Sequence, residues 1–246
     1  MSSEQVAQVS EATTDIPPPA YAEASSPAPP HIPPTNFLAI SRRMGEVKDT
    51  FVLDPALRVP HTDDQPHLSL STLMGEVAAE VYVVGSAAHP TGGGKTRMVV
   101  TSTIGTANLQ LASRPAPRHA SIPRAPISVS VNARGGEANL LLPRSFRGPL
   151  RISITIGMVE LSAALRAVTT IFGDERMFVG ACTQAELEGV WDGDEAVVYS
   201  KLGNVYVGYE GEAFKGKSTR TGHGKVKRSD GLVISAVRFD SESVVQ

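Results

Sequence analysis

HLSLSTLMGEVAAEVYVV, residues 67–84, reads as a strand, a turn and a second strand. Leu68 and Leu70 alternate with Ser69 and Ser71, the period-two pattern of a half-buried strand. Met74-Gly75 supplies the turn, and Val77 to Val84 the second strand. The same pattern recurs. NFLAISRRMGEVKDTFVLD (36–54) repeats the Met-Gly-Glu-Val run at Met44-Gly45-Glu46. RMVVTSTIGTANLQLAS (97–113) turns at Gly105, and PISVSVNARGGEANLLLP (126–143) at Gly135-Gly136. Glycines 45, 75, 105 and 135 stand 30 residues apart. A shortened fifth unit, RISITIGMVELS (151–162), turns at Gly157, and a sixth, Ala196 to Tyr209, at Gly203. A tight two-residue turn between right-twisted strands needs positive φ, which glycine reaches without a Cβ clash.

Fixed-period self-similarity argues for stacked units that share one core. The expected fold is all-β: strand–turn–strand repeats forming a β-solenoid-like or sandwich-like array over residues 36–210. Its exposed faces should carry the Ser and Thr of Leu-Ser-Leu-Ser, Ile-Ser-Val-Ser-Val and Ile-Ser-Ile-Thr-Ile, and its interior the branched apolar residues. Edge strands of such an array need covering. The short helix expected over Ser162 to Phe172, or a further strand within Gly231 to Phe239, is placed to do it.

The 246 residues, 41% hydrophobic and 5% aromatic, fit one main domain with tails. A net charge of −2 makes neither nucleic acid nor an anionic membrane an expected partner of the whole chain. No apolar run is long enough to span a bilayer, and the start of the chain lacks the basic-then-apolar pattern of a signal peptide. Cys182 is the only cysteine, which excludes an intramolecular disulfide. The expected location is intracellular, in the cytoplasm.

Residues 1–35 hold eight of the 18 prolines and no Lys or Arg, so they should be disordered. Within them Pro18-Pro19-Ala20-Tyr21 is a Pro-Pro-x-Tyr sequence, the type WW domains bind. Such a segment already populates polyproline II, and aromatic grooves accept the prolines and the tyrosine. Pro18, Pro19 and Tyr21 are therefore the candidate partner-binding residues, with a WW-domain protein, a ubiquitin ligase or its adaptor, as the expected partner. Pro30-His31-Ile32-Pro33 reads as stiff linker. Gly92-Gly93-Gly94-Lys95-Thr96 is not a phosphate loop, because the fifth position before Gly94 is His89 and a strand follows where a helix is needed. Residues 85–96 read instead as a hairpin loop. Arg114 to Arg124 reads as a solvated loop. Residues 211–246 form a second tail, basic through Lys215, Lys217, Arg220, Lys225, Lys227 and Arg228, with a final strand.

Catalytic signatures are missing from the sequence. Nucleophilic catalysis needs a placed base, and no histidine lies near Cys182, which reads as a small buried hydrophobe. No histidine pair has ligand spacing, and no G-x-S-x-G, GxGxxG or HExxH occurs. Glu186, Glu188, Asp192 and Asp194 are close in sequence but do not follow the spacing of a calcium loop. No metal, no cofactor and no enzymatic activity are expected.

Four stretches carry a resemblance: Asn36-Phe37-Leu38-Ala39-Ile40-Ser41-Arg42, Leu142 through Leu150 (LPRSFRGPL), Phe178-Val179-Gly180 and Trp191-Asp192-Gly193-Asp194. Over residues 36–210 the chain resembles a fungal family of domains of unknown function, whose members often carry a proline-rich tail with Pro-Pro-x-Tyr. The strand–glycine–strand repeat is more distantly similar to bacterial adhesin β-repeat domains. The first resemblance brings no activity with it. Three functions follow as expectations: an intracellular protein-interaction module with a WW-binding tail, an adhesin-like or carbohydrate-binding surface module, and an enzyme with a site built from loops.

Overall fold

Each strand–glycine–strand unit forms one rung, and its two strands lie in different sheets. In the computed structural model, residues 32–57, 65–84, 95–113, 125–172, 176–183, 186 and 191–212 are described, with the backbone of 234–235. The rungs are β1 (Leu38–Met44) with β2 (Val47–Leu53), β3 (Leu68–Met74) with β4 (Val77–Val83), β5 (Thr96–Ile104) with β6 (Ala107–Ser113), and β7 (Ile127–Gly135) with β8 (Ala138–Leu142). They continue with β9 (Gly148–Ile156) and β10 (Met158–Leu161). After α1 (Ala163–Ala167), β11 (Thr169–Phe172) and β12 (Arg176–Val179) comes the rung β13 (Glu195–Leu202) with β14 (Val205–Tyr209), and then β15 (Ile234–Ser235).

The eight-stranded sheet has the order β1-β3-β5-β7-β13-β9-β12-β11, and the seven-stranded sheet β15-β10-β14-β8-β6-β4-β2. Every rung-to-rung pairing is parallel. This is the stacked two-sheet array expected from the repeat.

The turns themselves differ from expectation. They are not hairpins, because the strands flanking each glycine do not pair with each other. The glycine bends the chain around a corner, from one sheet to the other. Pairing is left to the next rung, as when Gly75 N–H donates to Ile104 O at 2.8 Å and Val77 N–H to Thr106 O at 2.9 Å. For the same reason β4 and β5, which flank residues 85–94, are not a hairpin: they belong to different sheets.

The corner requires glycine because the rungs close on it. A Cβ on Gly75 would lie 2.0 Å from Gly45 O, one on Gly105 2.1 Å from Gly75 O, and one on Gly136 2.2 Å from Gly105 O. Gly203 and Gly157 extend the column, each 2.1 Å by the same measure from the carbonyl below. The fourth member is thus Gly136 rather than the evenly spaced Gly135, which pairs with Ile104 one row earlier. Buried hydroxyls satisfy the stacked carbonyls: Ser102 Oγ donates to Gly75 O at 3.0 Å and Thr72 Oγ1 to Gly45 O at 3.3 Å.

The space between the sheets is filled by rows of like residues. Leu70, Val100, Val131, Val198 and Ile152 form one such row, and Val77, Ala107, Ala138, Val205 and Val159 a facing one. All ten are buried. Ser69, Ser71, Ser128 and Ser130 face outward, half-exposed, as the alternation predicted.

The rungs do not stack in chain order. The last, β13–β14, slots between β7–β8 and β9–β10. The far end is covered by the antiparallel β11–β12 pair on β9, by β15 antiparallel to β10, and by α1 with Leu165 fully buried. The helix is shorter than expected. Ser162 caps it by accepting from Leu165 N–H at 3.2 Å. The β-branched run Thr169-Thr170-Ile171 then leaves it for strand β11, paired along its length with β12.

Candidate functional site

Pro18, Pro19 and Tyr21 lie outside the described residues, as do the Arg114–Arg124 loop, Glu188 and the basic segment 213–231. Within the described residues two polar constellations stand out.

The first gathers the quoted stretches of the sequence. The Asp194 carboxylate is buried and accepts from Ile127 N–H at 3.0 Å and from Arg147 N–H at 3.1 Å. The Trp191 indole N–H donates to Asp194 O at 2.7 Å, and its ring meets Phe178 edge-on at 5.0 Å. The Arg147 guanidinium lies 5.0 Å from the Trp191 ring centroid, within cation–π range. It donates through Nε to Ala181 O at 2.9 Å and forks onto Glu186 at 2.7 and 2.9 Å. Hydrogen bonds from Thr183, then from Arg147, hold the Glu186 carboxyl below its ordinary range. Gly148 is necessary here, since a Cβ would sit 1.9 Å from Asp194 O and 2.8 Å from Trp191 Nε1. One step along, Lys95 Nζ reaches Trp191 O at 2.9 Å and Glu195 Oε2 at 3.0 Å, while Ser128 Oγ donates to Glu195 Oε1. Burial pushes the Glu195 carboxyl up, but the bonds from Ser128 and Lys95 outweigh it and hold the group low.

These groups are satisfied by one another. Together they clamp the entry to β13 against β5, β7 and β9. Lys95, at the end of the glycine run that is not a phosphate loop, is part of this clamp. The sequence showed LPRSFRGPL and Trp-Asp-Gly-Asp separately. Nothing in their spacing showed that Arg147 and Asp194 would meet.

The second constellation is a shallow groove of about 260 Å³ on the outer face of the seven-stranded sheet, lined by Lys48, Thr50, Ala78, Glu80, Asn108 and Gln110 among others. Asn139 Nδ2 donates to Asn108 Oδ1 at 2.7 Å, and Asn108 Nδ2 to Glu76 Oε1, so two amides and a carboxylate are linked across three rungs. Glu80 accepts from Tyr82 Oη at 2.9 Å and from Gln110 Nε2 at 3.3 Å. Burial, and then the bond to Glu80, push the Tyr82 phenol up to about 12.

Cys182 is half-buried, not the enclosed hydrophobe expected of it, because it follows the last strand of the β11–β12 pair instead of sitting between the sheets. His67 stacks on Phe37 at 4.8 Å and accepts from Arg97 N–H through Nδ1 at 3.1 Å. Among the described residues no three His, Cys, Asp or Glu side chains gather as a metal site. Among them, too, no helix is long and apolar enough to cross a membrane.

Residues 36–212 match the family described as domain of unknown function DUF7330. The chain belongs to this family. The DUF7330 region takes in every rung of the array and both constellations. Among solved structures the chain is similar to a "putative cell adhesion protein" from Clostridium sporogenes, at 10% identity and a TM-score of 0.38, over 72% of this chain and 94% of that one. No curated protein matches the chain.

Proposed function

We propose that the chain is a non-catalytic, intracellular interaction module, in which the β array presents its outer faces and the preceding segment docks a WW domain through Pro18, Pro19 and Tyr21. One observation carries the first half. The outward row Ser41, Ser71, Thr101, Asn132, Tyr199 and Ser153 stands in register across six rungs. A solenoid offers this kind of extended, regular surface for binding macromolecules. The second half rests on the Pro-Pro-Ala-Tyr sequence itself. Its test is titration of the full chain and of Tyr21→Ala with a panel of WW domains. Binding by the full chain that the variant loses supports the reading. No binding below about 1 mM, the weak end of the affinity scale, sinks it.

A second reading has its own observation. The groove brings two carboxylates (Asp49 and Glu80), two amides (Asn108 and Gln110) and Lys48 to one open face, a set suited to the hydroxyls of a glycan. Screening the chain and Glu80→Ala on a glycan array decides it: retention by the parent and loss in the variant favour a carbohydrate ligand, and no retained glycan removes it.

A further inference from the structure

At five of the six corners the residue before the glycine is apolar and exposed to water. Met44, Met74, Ile104, Leu202 and Ile156 occupy one register row, interrupted only by Gly135. Met44 is 73% exposed, Ile104 54% and Ile156 62%. Single exposed apolar residues on a surface need no explanation. A row of five along the height of a solenoid, broken by a single glycine, is a different matter, and clustered apolar patches mark interaction sites. At the ~4.8 Å spacing of paired strands, six rungs make a stripe about 24 Å long.

The stripe is flanked asymmetrically. On the side of the eight-stranded sheet three of the six adjoining positions are charged, all of them basic (Arg43, Arg134 and Lys201); past the glycines, at the seven-stranded sheet, three of six are charged, all of them acidic (Glu46, Glu76 and Glu137). An anionic bilayer matches only one flank. A second copy of this chain matches both, in one orientation. A two-fold axis along the stripe lays each copy's basic flank on the other's acidic flank, Arg43 facing Glu46 and Arg134 facing Glu137. A two-fold across the stripe would set like charge on like.

We infer that the chain forms a parallel, side-by-side homodimer through this corner stripe. A patch this narrow falls at the small end of specific interfaces, so the dimer is weak and concentration-dependent.

The test is sedimentation of the full chain over a concentration series, beside Ile104→Asp, Arg134→Glu and the swap Arg134→Glu/Glu137→Arg, each with a circular dichroism melt to confirm folding. The parent should pass from monomer to dimer. Ile104→Asp should stay monomeric while folded, Arg134→Glu should weaken the dimer at least several-fold, and the swap should restore it. In a Cys182→Ser background, Met74→Cys and Ile156→Cys should each cross-link to its own copy, as only the parallel arrangement allows. A parent that stays monomeric up to about 1 mM overturns the inference. So does a dimer indifferent to folded Ile104→Asp, cross-linking at only one of the two cysteine positions, or vesicle binding by a chain that never dimerises.

Discussion

A methyl group on Gly75 would lie 2.0 Å from the Gly45 carbonyl oxygen, with the backbone at φ +140°. Gly75→Ala should therefore cost about 3 kcal/mol or more, a positive-φ penalty added to overpacking against backbone. Gly45 has φ +102° but nothing within 4 Å of the same position, because among the described residues no rung lies beneath it. Gly45→Ala should cost only about 1 kcal/mol, the φ penalty alone. Urea unfolding of the two variants checks the contrast. Nearly equal losses would mean that stacking is not what demands glycine. Tyr82 makes a second residue-scale prediction. Its phenol ionises near 12 in the folded protein against 10.0 ordinarily, so folding favours its neutral form. That stability is full below pH 10 and is lost as the pH climbs toward 12. Absorbance titration should find Tyr82 ionising late, and Tyr82→Phe should lessen the alkaline loss of stability. The need for glycine was legible in the sequence. Its reason was not: a flexible turn and a stacked column select the same residue, and only the neighbouring rung distinguishes them.

At the scale of the element, the insertion of β13 is the least expected feature. Parallel strands must find partners distant in sequence, and here the partners of β13 begin at Ile127 and Gly148. The Asp194 carboxylate binds the N–H groups of Ile127 and Arg147, which ties the entry of β13 to the start of β7 and to the residue before β9. Asp194→Ala leaves those donors without their partner, and a loss of about 2–4 kcal/mol is expected in denaturant. Trp191, the single tryptophan, reports on the same joint. Its fluorescence and far-ultraviolet dichroism should share one unfolding midpoint, and an earlier fluorescence change would show β13 releasing separately. Glu195 links this joint to pH. Its carboxyl is held low in the fold, so its contribution is present above the unfolded value and lost as pH falls through the folded one. Lys95→Met should raise the acid unfolding midpoint seen by circular dichroism. An unchanged midpoint would show the Lys95–Glu195 pair to be idle, as many exposed pairs are. The alternation that makes β13 a strand is plain in Ala196 to Leu202, but its place is not, since every rung offers the same pattern to every other.

The described residues form a stack with two unlike ends. One is closed by α1, the β11–β12 pair and β15. The other, β1 with β2, carries charge in the rows that are buried elsewhere: Arg42 stands in the row of Thr72 and Ser102, and Asp49 in the row of Ala79 and Leu109. Inward-row charges on an edge discourage end-to-end growth of a sheet. Arg42→Val with Asp49→Val should promote concentration-dependent aggregation, followed by light scattering at matched folded fraction. A double variant that stays as dispersed as the parent would leave the charges without that role.

The sequence by itself determined the all-β class, the rung boundaries, the alternation of core and surface, and the glycine at each corner. These are local properties, written in periods of two and thirty. Only the tertiary structure decided that the strands of a unit lie in separate sheets, that the sixth unit enters between the fourth and fifth, and that Arg147, Trp191 and Asp194 share one joint. It also decided that five apolar residues, from five of the six units, line up along one corner. Such facts depend on which rung lies above which, and near-identical rungs carry almost nothing in their own sequence to say so.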